Sequence, residues 1–231
     1  MNIIFSIISH GQQSLVEQLL KSIDEFVITY NCSIKIVVTE NFENDIYVNS
    51  SRFNVAKIIN LRKKGFGENH NKVFEQSKCD YFFVINPDIE IKQTLEIDLL
   101  IEYMLAEKLD LASPVIVNHY GDVEDYKRSD VTFRNILKRA LFRGRPEKFE
   151  WFAGMFLIFR STSFRKLGGF DTKFFMYVED CDLCMRARKL GMKLGDITFL
   201  SVVHHARRET LKSVHHLKWH ASSLFKYWLK R

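Results

Sequence analysis

The sequence is poor in the residues that mark linkers and disulfide frameworks. Its 3 prolines and 10 glycines are scattered over 231 residues, which argues against a flexible tether between domains. The 4 cysteines, Cys32, Cys79, Cys181 and Cys184, are too few for a disulfide scaffold. Cys181 and Cys184 have CxxC spacing, but no second pair with zinc-site spacing accompanies them. We therefore expect reduced thiols, no zinc and one compact domain.

Long hydrophobic runs are also absent. The apolar stretches at residues 81–85 and 152–159 fall well short of the roughly 20 residues that span a bilayer. Residues 1–5 lack a basic segment and a small-residue cleavage site, so we interpret them as a first strand and not as a signal peptide. Together with the expected reduced thiols, these features predict a cytoplasmic chain.

Charge and composition leave several partners open. The 34 Lys and Arg residues outnumber 28 Asp and Glu, for a net charge of +6. This balance concerns solubility and attraction to anions, not fold, so nucleic acid, anionic lipid and nucleotide substrates all remain candidates. A hydrophobic fraction of 46% with 27% charged residues excludes disorder and predicts a globule with a sizeable core.

Short β-rich segments alternate with helical periodicity in the first half of the chain. This alternation is typical of βα units and predicts an α/β fold with a largely parallel sheet covered by helices. We expect strands at 3–8, 35–39, 56–61, 80–85 and 111–117, and helices at 15–23, 68–77 and 94–108. The polar, basic residues 118–150 interrupt the pattern and are interpreted as an insertion over one face of the sheet. Order resumes at 151–159, with helices near 163–167 and 179–190 and a strand near 198–203.

The first candidate site follows the buried strand at 80–85. The strand ends in Asn86-Pro87-Asp88, and open α/β sheets bind ligands outside the carboxyl ends of their strands. A carboxylate there suits Mg²⁺ or Mn²⁺ bound together with substrate phosphates. The same tripeptide is equally good chemistry for an Asx turn.

The second candidate is the acidic run Glu179-Asp180-Cys181-Asp182. The macrodipole alone favours acids at a helix N-terminus. Helical geometry places Asp180 on the apolar face and directs Glu179 and Asp182 towards Arg186 and solvent. A carboxylate on an apolar face is costly without a partner or a task, so Asp180 is the functional candidate of the three.

Two further motifs are weaker. His204 ends a predicted strand, where a lone histidine is more often structural than a metal ligand. The glycines of Gly65-Phe66-Gly67 precede a helix, but they match neither the dinucleotide fingerprint nor a P-loop.

In combination the motifs are more specific than any one alone. In order they are Gly65-Phe66-Gly67 leading to Asn71, Asn86-Pro87-Asp88, Trp151-Phe152-Ala153-Gly154, Gly168-Gly169-Phe170-Asp171, Phe174-Phe175-Met176-Tyr177, Glu179-Asp180-Cys181-Asp182-Leu183 with Arg186, and Val203-His204. This series, over residues 1–208, resembles the family 2 inverting glycosyltransferases of the rhamnosyltransferase-like branch.

The resemblance implies a GT-A fold. It implies a catalytic domain at 1–208, with a nucleotide-sugar-binding half at 1–117 and an acceptor-binding half at 118–208. The segment at 209–231 lies beyond the resemblance, and its spacing and charge predict a basic amphipathic helix. The implied donor is dTDP-rhamnose or a UDP-sugar, and the implied acceptor is a saccharide or a lipid-linked molecule of bacterial surface polysaccharide synthesis.

The resemblance also implies roles for individual residues. Asp180 corresponds to the catalytic base, and Asp88 and His204 correspond to ligands of Mg²⁺ or Mn²⁺. The donor-binding positions are Glu40, Lys63, Gly65, Asn71, Asn86 and Asp88, and the acceptor-binding positions are Trp151, Gly154 and Glu179. Glu40 and Lys63 stand where the family usually has Asp and Asn, which leaves nucleotide specificity open.

Two other functions compete with glycosyl transfer. A basic nucleic-acid-binding module fits the net charge but leaves Asp88 and the acidic run unexplained, because phosphate backbones repel clustered carboxylates; we therefore expect no nucleic acid. A catalytically inactive relative acting as a partner protein is the second alternative. The sequence does not determine oligomeric state.

The C-terminal segment carries an apolar stripe at helical spacing and no acid after Glu209. The stripe comprises Leu211, Val214, Leu217, Ala221, Leu224, Phe225, Trp228 and Leu229. Such a helix either packs its stripe on the domain or lies on an anionic membrane surface as a peripheral anchor.

Overall fold

The computed structural model describes residues 1–41, 48–132, 149–205 and 214–230. Its helices and strands are, in chain order, β1 Asn2–Ser9, α1 Gln13–Phe26, β2 Val27–Ile28, β3 Ser33–Glu40, β4 Asn54–Ile59, α2 Phe66–Glu75, β5 Tyr81–Ile85, β6 Ile89–Glu90, β7 Leu95–Glu96, α3 Ile97–Ala106, β8 Leu111–Val117, β9 Lys127–Arg128, β10 Trp151–Phe152, β11 Phe156–Arg160, α4 Ser161–Leu167, α5 Glu179–Lys189, β12 Leu194–His204 and α6 Val214–Lys230. The strands and helices expected from the alternating pattern are confirmed within a few residues.

The central sheet has the strand order β4-β3-β1-β5-β11-β8-β12-β6. Strands β4, β3, β1 and β5 are mutually parallel, and β12 runs parallel to β8. Strand β11 enters between β5 and β8 and is antiparallel to both. The α/β class with a mostly parallel sheet is therefore confirmed, and its two parallel parts are joined by one antiparallel strand.

The centre of the sheet is buried on both faces. Every residue of β5 is buried, as its continuous apolar sequence predicts. Phe83 stacks on Phe5 of β1 with ring centroids 4.8 Å apart, and Phe82 packs against Phe164 of α4 at 5.1 Å. The strand is held from both sides, which fixes the position of the residues that follow it.

The segment predicted as an insertion contributes a small separate sheet. Strand β9 pairs with β10 in an antiparallel two-stranded sheet, with Arg128 opposite Trp151. The basic residues Arg134, Lys138, Arg139, Arg143 and Arg145 lie outside the described residues.

The C-terminal helix α6 packs on the domain, but with a face other than the predicted apolar stripe. Its buried residues include Ser223 and Tyr227, whereas Leu217, Phe225 and Leu229 are 60%, 61% and 73% exposed. The Tyr227 hydroxyl donates to the buried Asp130 carboxylate at 2.7 Å. Much of the apolar stripe therefore stays exposed, because polar side chains that find fixed partners orient this helix. Leu211 lies outside the described residues.

The Gly65-Phe66-Gly67 motif serves close packing at the start of α2. A Cβ on Gly65 would lie 2.8 Å from the carbonyl oxygen of Phe175, and a Cβ on Gly67 would lie 2.4 Å from the Cβ of Phe170. The Phe66 amide donates to that same Phe175 carbonyl at 2.8 Å. The two glycines therefore let α2 abut the segment that leads into α5.

Replacing Gly67 by Ala tests this packing, because helix propensity and overpacking predict changes of opposite sign in the free energy of unfolding. Helix propensity alone predicts a gain of up to about 1 kcal/mol in the free energy of unfolding. We expect instead a loss of about 1–3 kcal/mol from overpacking, measured by urea denaturation. Gly195→Ala is the control, because the added Cβ would meet only the flexible end of a side chain, Leu109 Cδ2, at 2.7 Å. A Gly67→Ala protein as stable as the parent would contradict the packing role.

Candidate active site

Asp88 sits in a turn that three strands hold. The Asn86 amide donates to the carbonyl of Met155, just before β11, at 3.0 Å. The Asp88 carbonyl accepts a hydrogen bond from the amide of His205 at 2.8 Å, and β6 pairs with the end of β12 through Ile89 and His204. The turn that follows β5 is therefore fixed between β11 and β12.

The structure brings His204 to Asp88. Its Nε2 lies 3.4 Å from Asp88 Oδ2, and its Nδ1 lies 2.8 Å from Glu124 Oε2. Burial opposes a charge on this imidazole, but the hydrogen bonds to Asp88 and Glu124 outweigh it and raise the pKa of His204 to about 9. Without a metal ion, the folded chain therefore holds an imidazolium between two carboxylates at neutral pH.

These side chains fit a divalent ion that is shared with a substrate. Asp88 Oδ1 is buried and has no hydrogen-bond partner among the described residues. Carboxylate oxygen and imidazole nitrogen are common ligands of Mn²⁺ and Mg²⁺. In the four described ranges, no three His, Cys, Asp or Glu side chains form a group that could hold a metal by themselves. An ion at Asp88 and His204 would need further oxygen ligands, which a diphosphate supplies.

Asp180 lies at the start of α5 and is held by backbone donors. Its Oδ2 accepts a hydrogen bond from the Gly154 amide at 2.8 Å, and its Oδ1 accepts one from the Cys181 amide at 2.8 Å. A Cβ on Gly154 would lie 3.5 Å from Asp180 Oδ2, an ordinary van der Waals distance, so Gly154 serves this contact through its backbone amide. Each Asp180 oxygen keeps a lone pair for another donor.

Glu179, which is buried, and Asp180, which is half-buried, are adjacent carboxyl groups whose electrostatics differ. Burial raises the pKa of Asp180, against the charge of Arg128 and the bonds from the Gly154 and Cys181 amides. Burial and the adjacent Asp180 charge raise the pKa of Glu179 well above its usual range. Glu179 Oε2 has no partner among the described residues. Backbone donors and the Arg128 charge therefore favour the anion at Asp180, whereas burial and the neighbouring like charge oppose it at Glu179.

The expectation that Glu179 and Asp182 face solvent was wrong. Glu179 is 6% exposed and Asp182 is 3% exposed. Asp182 does face Arg186, at 2.7 Å, but it also contacts Lys230 of α6 at 2.6 Å. The face of α5 that would be exposed in an isolated helix is therefore covered by α6. The contact is between distant parts of the chain, so the local sequence pattern does not predict it.

The turn before α5 is strained. Tyr177 and Val178 have φ values of 70° and 69°, in the left-handed region that a β-branched residue rarely adopts. Two contacts with α6 hold this turn: the Met176 carbonyl accepts a bond from Ser223 at 2.8 Å, and the Tyr177 hydroxyl is hydrogen-bonded to His216 at 2.6 Å. Backbone strain of this kind is typical of segments whose conformation supports a functional site.

Glu40 lies at the end of β3, in a polar network at the edge of the sheet. Its Oε1 accepts a hydrogen bond from the Gly11 amide at 2.7 Å, while its Oε2 is buried without a partner in the described part of the chain. Beside it, Asn60 donates to Asn41 at 3.0 Å and to Asn69 at 2.6 Å. The network is rigid, and one carboxylate oxygen is left to accept a further donor.

Lys63 lies near this edge. It is exposed, and its charge reaches His10 at the end of β1. Burial, followed by the charges of Lys63 and His216, lowers the pKa of His10. Basic side chains from three parts of the chain, His10, Lys63 and His216, therefore lie near one another beyond the end of β1.

Two of the expected site residues are engaged elsewhere. The Asn71 amide group exchanges two hydrogen bonds with the backbone of Phe170, at 2.8 and 2.9 Å. Trp151 is 3% exposed, donates to the Ser129 carbonyl at 2.7 Å, and has the Arg128 guanidinium 5.1 Å from its ring centroid. The expected contacts of Asn71 with the sugar donor and of Trp151 with the acceptor substrate stay predictions. In this structure both side chains bond to neighbouring segments of the chain.

Glu124 and Arg128 were missed as site residues by the sequence reasoning. Both lie in the stretch where the α/β alternation lapses, and no local pattern separates Glu124 from its acidic neighbours Asp122 and Asp125. Their relevance arises from the contact of Glu124 with His204 and from the charge of Arg128 acting on Asp180, residues more than fifty positions away.

The comparison with protein families covers most of the chain. The model described as "Glycosyl transferase family 2" matches residues 7–168. The chain belongs to glycosyl transferase family 2. It is a glycosyltransferase, and residues 169–231, with Asp180, His204 and α6, extend beyond the matched range.

Two relatives carry rhamnosyltransferase names. The chain is 25% identical to "Rhamnosyltransferase WbbL" of Escherichia coli (strain K12), over 96% of this chain and 90% of that protein. It is 36% identical over 76 residues to the "N-acetylglucosaminyl-diphospho-decaprenol L-rhamnosyltransferase" of Mycobacterium tuberculosis, which is 32% of this chain and 25% of that protein.

Solved structures support the GT-A fold. The mannosyltransferase PcManGT of Pyrobaculum calidifontis, in complex with GDP-Man and Mn²⁺, has a TM-score of 0.64 at 14% identity and covers 99% of this chain, which spans 64% of that protein. S. aureus TarS 1-349 in complex with UDP-GlcNAc has a TM-score of 0.63 at 12% identity, covering 92% of this chain and 61% of that one.

The pH dependence of stability tests the environment of His204. Its pKa is about 9 in the folded chain against an ordinary value of 6.5, so its contribution is complete below pH 6.5 and is lost as pH rises through about 9. In that window the folded state binds the extra proton, and the free energy of unfolding falls by up to about 1.4 kcal/mol per pH unit. Urea denaturation in the presence of a chelator measures this slope. His204→Gln is expected to flatten it, and an unchanged slope would contradict the assignment.

Proposed function

We propose that the chain is a metal-dependent inverting glycosyltransferase that moves a sugar, with rhamnose as the leading candidate, from a nucleotide-sugar donor to a saccharide or lipid-linked acceptor. The observation that carries this proposal is the half-buried, backbone-held Asp180 carboxylate, which the Gly154-Met155 segment connects to the turn that carries Asp88. Asp180 and the turn that carries Asp88 are linked through the two residues just before β11. Gly154 bonds to Asp180, and the next residue, Met155, bonds to Asn86.

The donor nucleotide is proposed to bind at the ends of β1, β3 and β5. The free Oε2 of Glu40 is placed to accept a donor such as the N3–H of thymine or uracil, which is consistent with dTDP-rhamnose or a UDP-sugar. Lys63 supplies positive charge and His10 supplies a ring N–H for hydrogen bonding to the phosphates. Gly65 and Asn71 act by holding α2 against the segment at 170–175.

Asp180 is proposed as the general base. The acceptor hydroxyl transfers its proton to Asp180 while its oxygen forms a bond to the anomeric carbon, and the bond from that carbon to the diphosphate breaks on the opposite face. Because burial raises the Asp180 pKa above its ordinary value, the carboxylate is a stronger base than a solvated one. General-base assistance contributes about 10²- to 10⁴-fold.

Asp88 and His204 are proposed to hold the ion beside the departing diphosphate. When bound, Mg²⁺ or Mn²⁺ would supply positive charge that stabilises the diphosphate as it leaves. Asn86, next to Asp88, contributes a neutral amide and a backbone position set by Met155.

Glu179 is proposed to bind the acceptor as a neutral acid. Its partner-free Oε2 is suited to donate a hydrogen bond to a sugar oxygen beside the reacting hydroxyl. Trp151 and Gly154 support the same region, since the Gly154 amide bonds to Asp180 and the Trp151 ring packs on Arg128.

A lipid-linked acceptor is proposed from the name of the mycobacterial relative, whose substrate is a diphospho-decaprenol. The outer face of α6 fits such an acceptor, because it exposes Leu217, Phe225 and Leu229 and carries Lys218 and Lys226 with no acid between residues 214 and 230. Aromatic and aliphatic side chains flanked by lysines bind anionic membrane surfaces. Among the described residues, no helix is both long and apolar enough to span a bilayer.

The basic activity test uses the purified chain with dTDP-rhamnose and UDP-sugars. Hydrolysis of the donor without acceptor, in the presence of Mn²⁺ and its absence, is expected to reveal metal-dependent turnover. No turnover of any nucleotide-sugar, with or without a saccharide acceptor, would favour the alternative of an inactive partner protein.

Two variants of adjacent residues test the proton assignment. Asp180→Asn is expected to lower kcat at least about a hundredfold without changing donor affinity, because it removes the base. Glu179→Gln is the matched control, since glutamine mimics a protonated carboxyl, and we expect kcat within about fivefold of the parent with the larger effect in the acceptor KM. Equal losses of kcat in the two variants would contradict the assignment.

Membrane binding is tested by substitutions on α6 and not by truncation, because the inner face of α6 holds the turn before Asp180. We expect salt-sensitive co-sedimentation with vesicles of phosphatidylglycerol and phosphatidylcholine, weakened at least about tenfold by Phe225→Ser with Leu229→Ser. Leu61→Ser is the control, because Leu61 is 84% exposed on another part of the surface. Unaltered binding by the α6 variant would reject the membrane face.

A further inference from the structure

Glu124 occupies a defined position beside the proposed metal site without being one of its expected ligands. Its Oε2 lies 2.8 Å from Nδ1 of His204, on the far side of the ring from Asp88. The Glu124 side chain is 21% exposed, so the contact is partly shielded from water.

The backbone around Glu124 is fixed to the strand beside His204. Val117, at the end of β8, pairs with Val203 of β12 and is bridged by Val123. The Glu124 amide donates to the Ile116 carbonyl at 2.9 Å, and the Glu124 carbonyl accepts the Tyr126 amide at 3.0 Å. Glu124 and His204 therefore each follow a residue that pairs with Val117, Val123 and Val203 respectively, and their side chains are in contact.

An imidazole can present only one nitrogen lone pair to an ion, and the group bound to its other nitrogen decides which one. A carboxylate that accepts the Nδ1 hydrogen leaves the lone pair on Nε2, fixes the ring orientation and makes Nε2 a better ligand. In His204 the nitrogen opposite Glu124 is Nε2, which faces Asp88 at 3.4 Å.

We propose that Glu124 is a positioning residue for the metal site: it holds the Nδ1 hydrogen of His204 and thereby directs the Nε2 lone pair towards a divalent ion shared with Asp88. The proposal rests on the metal site of the proposed function and adds a residue from the region 118–150. It predicts that Glu124 controls ion affinity although it does not touch the ion.

The test measures Mn²⁺ affinity directly, by the loss of the free Mn²⁺ signal in electron paramagnetic resonance. Mn²⁺ is titrated alone and with UDP or dTDP into the parent and its variants. Glu124→Leu is expected to weaken Mn²⁺ binding by about 10- to 100-fold, the usual effect of losing such an outer partner. Glu124→Gln is expected to restore most of the affinity, because its amide oxygen still accepts the Nδ1 hydrogen.

The chain offers a matched control one residue along. Glu90 Oε2 lies 2.8 Å from Nε2 of His205, the same type of carboxylate–imidazole contact at the end of the same strand. Glu90→Leu should leave Mn²⁺ affinity unchanged, which separates a specific effect at His204 from a general loss of charge or of order in β12. Thermal unfolding verifies that every variant is folded.

A spectroscopic readout follows the ring itself. With Mg²⁺ and UDP bound, the ¹⁵N shifts of His204 should show a protonated Nδ1 and a metal-facing Nε2 in the parent and in Glu124→Gln. In Glu124→Leu the ring should populate the other tautomer.

The outcomes separate this proposal from the proposed function. Loss of Mn²⁺ affinity in Asp88→Ala with parental affinity in Glu124→Leu would overturn the role of Glu124 alone. Parental affinity in both would overturn the metal site and this inference with it. Equal losses in Glu124→Gln and Glu124→Leu would also reject positioning, because the charge and not the hydrogen-bond acceptor would then be decisive.

Discussion

The antiparallel pairing of β5 with β11 is the constraint on which the candidate site depends. It places Ile85 opposite Phe156, so the end of one strand meets the beginning of the other. One residue beyond this pair, the Asn86 amide bonds to Met155, and the preceding Gly154 bonds to Asp180. A single strand contact therefore sets the relative position of the proposed metal ligand and the proposed base.

Helix α6 acts on the site from outside. It contacts the segment between the Gly168-Gly169 turn and α5 through Lys226 on the Lys173 carbonyl, Ser223 on Met176 and Lys230 on Asp171 and Asp182. These contacts hold the left-handed conformation at Tyr177 and Val178, whose cost of about 1–3 kcal/mol each must be balanced by the surrounding structure. The same helix carries the proposed membrane face, so surface binding and catalytic geometry meet in one element.

Burial decides how the acidic residues differ in role. Asp180 is stabilised as an anion by backbone donors and by Arg128, whereas Glu179 has a buried oxygen without a partner. Asp182 is neutralised by Arg186 and Lys230. Three carboxyl groups within four positions thus become a proposed base, a proposed neutral acid and a structural ion pair, because each finds a different environment.

Much of the fold could be predicted from the sequence, because strand and helix patterns are local. The apolar run of β5, the alternation of β1 to α3 and the acidic start of α5 each follow from residues within about ten positions. The motifs from Gly65 to His204 also sufficed for the family, since their order along the chain is itself the signal. The pattern did not predict which face of α6 packs, because Tyr227 and Lys230 find their partners Asp130 and Asp182 only after the domain has formed.

The sequence by itself determined the α/β class and the family, and it supplied the positions that are proposed for the chemistry. Only the tertiary structure decided that Glu179 and Asp182 are buried, that Asn71 bonds to Phe170, and that Glu124 faces His204. The reason is physical. Periodicity encodes which side of an element avoids water, whereas the pKa of a carboxyl group and the orientation of an imidazole depend on groups that long-range packing brings within a few ångströms.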